Sequence, residues 1–314
     1  MSSKNTKDQR SLLLKEKATR VLEKRHQPQR DSLVSFIKYF FREELNKPFQ
    51  VNWHHEVIEE KLSGVLNGEV TRLIINIPPG SGKTELITKC FPVWALGRKP
   101  ETQIIATGYS AQLTQRYGSE ARDYYLSSSF RRVFPRRPGL REDQNTKGLW
   151  RNEAGGQYLA TGTGGSITGN RANIFVIDDP IKPDDAMSYV NRQAVNNWYD
   201  NTVLSRLFNP DQDAVIIVMQ RTHEDDLCGY LMEKMNESTG EDWEVVTVKA
   251  IAEEDETSRA FGESYHEDRF PLSALRKIEL NDPVVFSTQY QQEPVNKESQ
   301  EFHEEFFKYW ETVP

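Results

Sequence analysis

A short polar loop in the first third of the chain is made of Pro79, Gly80, Ser81, Gly82, Lys83 and Thr84. Its two glycines allow backbone angles that other residues avoid, and successive N–H groups can then point at one anion. Lys83 can reach the β- and γ-phosphates of a nucleotide, and the Thr84 hydroxyl can ligate Mg²⁺. The loop follows an apolar run and precedes a helical pattern, so it predicts a phosphate-binding loop for ATP and Mg²⁺.

The loop departs from the usual spacing G-x-x-x-x-G-K-S/T. The first glycine would stand at position 77, where the chain has Ile77, followed by Pro78 and Pro79. The two prolines fix the entry to the loop by rigidity instead of glycine freedom. The alternative is an ordinary Gly-Ser turn between a strand and a helix. The order of strand, loop, Lys-Thr and helix favours phosphate binding.

Two carboxylates end a second apolar run, Ile174 to Ile177. In ATPases with a phosphate-binding loop, an aspartate at a strand end holds Mg²⁺ and the next acidic residue orients the attacking water. We therefore expect Asp178 to be the metal carboxylate and Asp179 the catalytic carboxylate, although Asp179 is shorter than the more usual glutamate. The alternative is an Asp-Asp-Pro turn after a core strand.

Further polar residues follow or flank these strands. Gln220, at the end of a third apolar strand, is expected to sense the γ-phosphate, with Arg221 as second choice; alternatively the loop caps the next helix through Thr222. An arginine finger is expected from Arg171, Arg192 or Arg206, in this chain or toward a neighbouring subunit's ATP. The alternative is that each of the three is a surface residue that forms an ion pair and has no role at the phosphate.

A dense basic segment lies between these motifs, with two prolines that predict a loop. Its arginines are Arg131, Arg132, Arg136, Arg137 and Arg141, with no acidic residue among them. We expect contact with a nucleic-acid backbone, the alternative being an ordinary basic surface loop.

The apolar patterns that position these residues alternate between strands and helices. Predicted strands are 70–77, 103–107, 174–177, 214–219 and 244–250; predicted helices are 33–44, 53–65, 84–96, 112–125, 184–206 and 224–236. Residues 155–169 predict a glycine-rich hairpin or loop, and His54 and His55 are expected to be exposed. The alternation predicts an α/β fold with a doubly wound, mostly parallel sheet, whose ligands bind at the carboxyl ends of the strands.

Composition limits the class of protein. The 314 residues carry a net charge of −7, with +6 over residues 1–30 and −13 in the remainder. The acidic body argues against a DNA-coated protein, but local phosphate contact depends on where the basic groups lie. No apolar run approaches the ~20 residues of a membrane span. The polar N-terminus and two cysteines predict a cytoplasmic protein without a disulfide framework.

Five sequence blocks together resemble the large terminase subunit of tailed bacteriophages and prophages. They are IPPGSGKT, FVIDDPIKPDDAMS, WYDNTVLSRL, VIIVMQRTHEDDLCGYL and FSTQYQQEP, within residues 49–294. The resemblance implies an ATPase domain of RecA-like, additional-strand type, with Gln220 starting a coupling motif. It also implies packaging of double-stranded DNA, with a portal protein, a small terminase subunit and further copies of the chain in a ring as partners.

The resemblance sets the expected organisation of the chain. A basic arm with helices spans 1–48, the ATPase domain 49–297, and the start of a linker 298–314. The remaining length leaves no room for the family's nuclease domain, so nuclease activity is not expected. Many large terminases carry an arginine where this chain has Pro79, so a finger would come from elsewhere. The expected location is the bacterial host cytoplasm, with transient residence at the procapsid portal.

Two other functions stay open at this point. A helicase-like, nucleic-acid-remodelling ATPase would share the same loop and carboxylates, although it usually needs a second RecA-like lobe. A nucleotide-gated assembly subunit would bind ATP and dock partners with little turnover.

Overall fold

A computed structural model describes residues 2–165, 167 and 169–294, with side chains from Ser11 onward. The predicted linker, 298–314, lies outside the described residues. In the described part of the chain, no helix is both long and apolar enough to cross a membrane.

One mixed sheet of eight strands forms the centre of the fold. The strands are β1 (Arg72–Asn76), β2 (Gln103–Gly108), β3 (Leu140–Asn145), β4 (Leu149–Asn152), β5 (Gln157–Gly162), β6 (Ile174–Asp178), β7 (Ala214–Met219) and β8 (Glu244–Thr247). Their order is β3-β4-β5-β2-β6-β7-β1-β8. Strands β5, β2, β6, β7, β1 and β8 run parallel to one another, and β4 and β3 extend the sheet beyond β5 with antiparallel pairs.

The order of the central strands positions the two motifs. Strand β1 leads into the phosphate-binding loop, β6 ends at Asp178, and β7 lies between them. One intervening strand brings Asp178 and Lys83 to the same carboxyl edge without making them sheet neighbours. This arrangement confirms the predicted doubly wound, additional-strand, RecA-like fold.

Helices flank the sheet. They are α1 (Ser2–Arg25), α2 (Gln27–Asp31), α3 (Leu33–Glu44), α4 (Trp53–Asn67), α5 (Phe91–Arg98), α6 (Ala111–Leu126), α7 (Ser128–Val133), α8 (Pro183–Ala186), α9 (Tyr189–Trp198), α10 (Leu227–Asn236), α11 (Leu272–Asn281) and α12 (Pro283–Val285). Single π-helical turns at Thr84–Cys90, Tyr199–Val203 and Phe286–Tyr290, and a 3₁₀ turn at Leu204–Arg206, join some of them.

The core occupies both faces of the sheet because side chains alternate along each strand. Leu73 and Ile75 of β1 enter one apolar cluster, with α3, α4 and α5, and Ile74 enters the other, with Tyr199 and α10. All five residues of β1 and all five of β6 are buried. Continuous burial is typical of parallel strands covered on both faces, and it explains why apolar runs located these strands correctly.

Three predicted elements were wrong. Residues 155–169 are not a loop throughout, because 157–162 form β5, which pairs in parallel with β2. The predicted helix 184–206 is interrupted after Ala186 and ends in π and 3₁₀ turns. His54 and His55 are buried in α4. Strand β5 was not predicted because the glycines of residues 155–169 suggested a loop. These glycines lie outside β5, except for Gly162, which is its last residue.

The basic segment and the loop after β7 also differ from their predictions. Arg131 and Arg132 belong to helix α7 rather than to a loop, and its N-cap is Ser127. Asp226, not Thr222, caps the helix after β7, because the Asp226 carboxylate accepts the Gly229 amide. An aspartate one residue before the helix satisfies an otherwise unpaired N–H group.

Candidate active site

The phosphate-binding loop takes the backbone shape that its glycines predict. Gly80 and Gly82 have φ angles of 76° and 86°. A Cβ atom on Gly80 would lie 2.6 Å from Cζ of Phe270, so glycine also makes room for that ring. The amide of Leu86 donates to the Gly82 carbonyl at 3.0 Å, which starts the following helical turn immediately after the loop.

Two histidines lie beneath this loop. His54 Nε2 is 3.4 Å from the Ser81 carbonyl oxygen, and the His54 and His55 ring centroids are 4.0 Å apart. Burial lowers the pKa of His54 to about 3 and that of His55 to about 4, so both rings are neutral near pH 7. They therefore pack under the loop without adding charge. This buried position was not predicted, because adjacent histidines at a helix start have no apolar pattern.

Lys83 joins the loop to the carboxyl ends of β6 and β7. Its Nζ is 3.0 Å from Asp179 Oδ2 and donates to Gln220 Oε1 at 3.2 Å. The lysine side chain is 8 % exposed, so water screens this ion pair little. The Lys83 ammonium, after β1, thus contacts the residues that directly follow β6 and β7.

Asp178, next to Asp179 in the chain, is buried. Its Oδ2 accepts from the Thr88 hydroxyl at 2.6 Å, and its Oδ1 has no hydrogen-bond partner among the described residues. Burial, together with the charge of Asp179, raises the pKa of Asp178 to about 6, whereas Lys83, Thr88 and Thr84 oppose the rise. An unpaired, buried carboxylate oxygen is costly unless a cation or donor reaches it.

Asp179 has a strained backbone that its neighbours hold in place. Its φ angle is 46°, a left-handed value that aspartate and asparagine tolerate better than most residues. Its amide donates to the Val218 carbonyl at 3.0 Å, and its carbonyl accepts the Tyr109 amide at 2.9 Å. Both flanking strands therefore fix the turn that sends Asp178 toward Thr88 and Asp179 toward Lys83.

A cavity of about 100 Å³ lies beside the two carboxylates, between the first turn after the phosphate loop and the start of α6. Its lining includes Thr84, Thr88, Tyr117, Asp178 and Asp179. The described residues contain no group of three His, Cys, Asp or Glu that could hold a metal alone. Mg²⁺ typically takes one or two carboxylates plus substrate phosphates. The free Asp178 oxygen and the Thr84 hydroxyl fit that kind of site.

Thr88 was missed by the sequence analysis. It stands four residues after Thr84, one helical turn on, so both hydroxyls belong to the same side of the segment. The spacing of the two threonines in the sequence therefore predicts that a second hydroxyl can approach the carboxylate at the end of β6.

The raised pKa of Asp178 predicts a pH-dependent stability term. A carboxyl whose pKa rises from 3.8 to about 6 on folding stabilises the fold fully below pH 4, and this contribution is lost as pH rises through 6. Asp178→Asn has no carboxyl to ionise at this position. Without Mg²⁺, the free energy of unfolding of the variant minus that of the parent should therefore increase by about 2–3 kcal/mol from pH 4 to pH 7. Denaturant titrations of both proteins at several pH values measure the difference. A difference independent of pH would contradict the assignment.

Thr88→Val tests the bond to Asp178. Valine keeps the shape but not the donor, and loss of a hydrogen bond to a charged group costs about 1.5–3 kcal/mol. We expect lower stability at pH 7.5 and a further rise in the pKa of Asp178. Thr114→Val is the matched control, because the Thr114 hydroxyl lines the same cavity but bonds the Ser110 carbonyl. Equal losses in the two variants at pH 7.5 would show that Thr88 has no special role.

The three arginine-finger candidates occupy different places. Arg192 is near the carboxyl edge, but its Nη1 donates to the carbonyls of Ala186 and Met187, and its Nη2 is 3.5 Å from Asp225. Arg171 and Arg206 line a cavity with Gln103, the first residue of β2, at the amino edge of the sheet. From that edge they cannot reach the phosphate-binding loop of their own chain. Arg221, the second choice for sensor, forms a buried ion pair with Asp226.

The predicted nucleic-acid arginines are mostly engaged within the chain. Arg132 donates to the Tyr39 hydroxyl, Arg136 binds Glu16 and Glu23, and Arg141 binds Asp143; Arg137 packs on the rings of Tyr125 and Phe130. Within the described residues, Arg131 forms no ion pair and no ring contact of this kind. The intramolecular pairs reduce the positive potential that this segment offers to a phosphate backbone.

Comparisons with known proteins place the chain in a family. Residues 74–306 match the family model described as terminase large subunit, T4-like virus type, N-terminal. Among solved structures, the chain is similar to a mutant of the large terminase ATPase domain of Thermus phage P74-26. The two share 14 % sequence identity with a TM-score of 0.48, over 81 % of this chain and 98 % of that one. No curated protein matches. Because the family model covers most of its length, the chain belongs to the T4-like type of terminase large subunits.

Proposed function

We propose that this chain is the ATPase motor domain of a phage terminase, coupling ATP hydrolysis to translocation of double-stranded DNA into a procapsid. The observation that carries the proposal is the contact of Lys83 with both Asp179 and Gln220, beside the unpaired oxygen of Asp178. These residues follow three parallel strands, Lys83 after β1, the two aspartates at the end of β6 and Gln220 after β7. Ligands of such sheets bind at the carboxyl ends of the strands.

Named residues would divide the work of hydrolysis. The loop amides from Pro79 to Thr84 and the Lys83 ammonium bind and orient the phosphates. Thr84 and Asp178 would hold Mg²⁺, which supplies charge stabilisation at the phosphate oxygens when bound. Asp179 accepts the proton of the attacking water. A γ-phosphate bound by Lys83 competes with Asp179 for the ammonium, which frees the carboxylate to act as a base.

A series of contacts connects this site to α7, the helix that contains Arg131 and Arg132. The carbonyl of Asp179 binds the amide of Tyr109, and α6 starts two residues later. Lys89, in the helical turn after the loop, forms ion pairs with both Glu85 and Glu120 of α6. Helix α6 then leads into α7. We propose that a shift at the γ-phosphate moves α6 and presents Arg131 and its neighbours to DNA.

The remaining partners follow from the family. We propose a ring of copies on a portal protein, with a small terminase subunit, in the cytoplasm of the bacterial host. Within such a ring, Arg171 and Arg206 would act as fingers toward a neighbouring copy, because they occupy the edge opposite to the chain's own ATP site. Arg192 is the candidate that stays on the nucleotide side.

Phosphate release separates the proposal from its alternatives. We expect ATP hydrolysis that double-stranded DNA stimulates several-fold, without separation of the strands in an unwinding assay. Strand separation would favour a helicase-like ATPase. Tight ATP binding with no phosphate release, with or without DNA, would favour a nucleotide-gated assembly subunit and would overturn the motor proposal.

A further inference from the structure

A second polar cavity, of about 440 Å³, lies at the edge of the sheet opposite to the phosphate-binding loop. It opens at the amino ends of β2 and β6. Its lining includes Gln103, Arg151, Asn170, Arg171, Arg206 and Phe208. The three arginines come from β4, from the segment before β6 and from the 3₁₀ turn before β7, so the fold alone brings them together.

Backbone and side-chain bonds fix these arginines in place. The Ala172 amide donates to the Arg206 carbonyl at 2.8 Å, and the Arg171 Nη1 donates to the Leu207 carbonyl at 3.0 Å. Arg151 Nε donates to Gln157 Oε1 at 2.8 Å. Arg206 Nε donates to the Ser205 hydroxyl at 3.2 Å. Each of these side-chain contacts uses one nitrogen of a guanidinium group that has three, whereas the bond to the Arg206 carbonyl uses none. The cavity therefore presents positioned donors with capacity for further bonds.

Among the described residues, the three arginines have no carboxylate of their own: the pKa of Asp143 is lowered mainly by its hydrogen bond to Arg141, and the charge of Arg151 adds to that effect. In the part of the chain that the structure describes, Arg151, Arg171 and Arg206 form no ion pair. Asp213 stands at the same end of the sheet, but its two carboxylate oxygens accept from Asn173 Nδ2 and the Asn209 amide. Three like charges around one cavity repel one another unless an anion joins them.

We propose that this cavity binds a phosphate group. Guanidinium groups match the geometry of phosphate oxygens through paired donors. The Phe208 ring, 47 % exposed at the cavity, offers a surface on which a nucleotide base can stack. The phosphate belongs either to the backbone of DNA or to a small or nucleotide-borne phosphate. The site is separate from the Lys83 loop, so its occupancy does not require hydrolysis there.

Binding to pyrophosphate and to DNA distinguishes the two sources. Both ligands are titrated calorimetrically into the Lys83→Ala chain, which weakens the first phosphate site, with and without Arg171→Gln/Arg206→Gln. We expect at least a tenfold loss of affinity for pyrophosphate or for a short DNA duplex in the double variant. If DNA is the source, the dependence of its log affinity on log salt should also weaken by about 2. Arg276→Gln is the control, since Arg276 is an exposed arginine of α11 paired with Glu279.

The outcomes assign or remove the site. If the glutamine pair loses affinity for pyrophosphate alone, the ligand is a small or nucleotide-borne phosphate. If it loses affinity for DNA and the salt dependence weakens, the ligand is the DNA backbone. Unchanged affinity for both ligands would overturn the proposal. Arg171→Lys/Arg206→Lys keeps the charges but not the paired donors, so it should bind more weakly than the parent and more tightly than the glutamine pair. If this pair loses binding as fully as the glutamine pair, the arginines act on the fold and the proposal is also overturned.

Discussion

Replacing Asp179 by Asn should leave ATP binding near the parental level while hydrolysis falls by about 10²–10⁴-fold, the usual contribution of a positioned general base. Asparagine keeps the shape and tolerates the left-handed backbone at this position, where φ is 46°. It can still accept a hydrogen bond from Lys83, but its amide cannot take a proton from water. Nucleotide affinity by fluorescence titration and phosphate release in steady state measure the two effects separately.

Asp184→Asn is the matched control for that change. Asp184 is an exposed carboxylate on α8, five residues after Asp179, and it does not line the cavity beside Asp178. It should hydrolyse ATP at the parental rate. If Asp179→Asn also does so, the water-activating group lies elsewhere, and Asp179 is then a structural partner of Lys83.

Lys83→Ala should weaken ATP binding by about 10- to 100-fold and abolish measurable turnover. A hydrogen bond to a charged group is worth about 1.5–3 kcal/mol, which sets the expected loss of affinity. The change also removes the cation that restrains the pKa of Asp178, so that pKa should rise further. Equilibrium titration with labelled ATP, at pH 7.5 and with Mg²⁺, measures the affinity.

Lys61→Ala controls for the loss of a lysine in general. Lys61 is a surface residue of α4 that pairs with Glu244 at 2.8 Å. Exposed pairs of this kind contribute little to stability, so ATP affinity should not change. Parental affinity in Lys83→Ala would show that the loop does not bind the triphosphate.

The sequence predicted the central sheet well because its strands are buried on both faces. Apolar runs located β1, β2, β6 and β7, and the polar residues after three of them identified Lys83, Asp178, Asp179 and Gln220 as neighbours. Parallel strands of this kind have continuous apolar sequences, so their ends are unusually easy to locate.

The elements that the sequence missed lack such a pattern. Strand β3 is polar and mostly exposed, and β5 stands among glycines, so neither has a clear apolar run. The contacts of the arginines were equally hidden. Arg192 bonds to nearby carbonyls, whereas Arg171 and Arg206 meet Arg151 only through the order of the strands. Pairing across a sheet is a property of the fold, and a single sequence does not display it.

The most direct test of the account is a crystal structure with Mg²⁺ and a non-hydrolysable ATP analogue. We predict β- and γ-phosphates within the loop from Pro79 to Thr84, with Lys83 turned toward them. Mg²⁺ should bind the Thr84 hydroxyl and lie on the side of the free Asp178 oxygen, with a water between Asp179 and the γ-phosphate. A nucleotide bound elsewhere on the sheet, or a metal remote from Asp178, would contradict the claim that loop and carboxylates form one site.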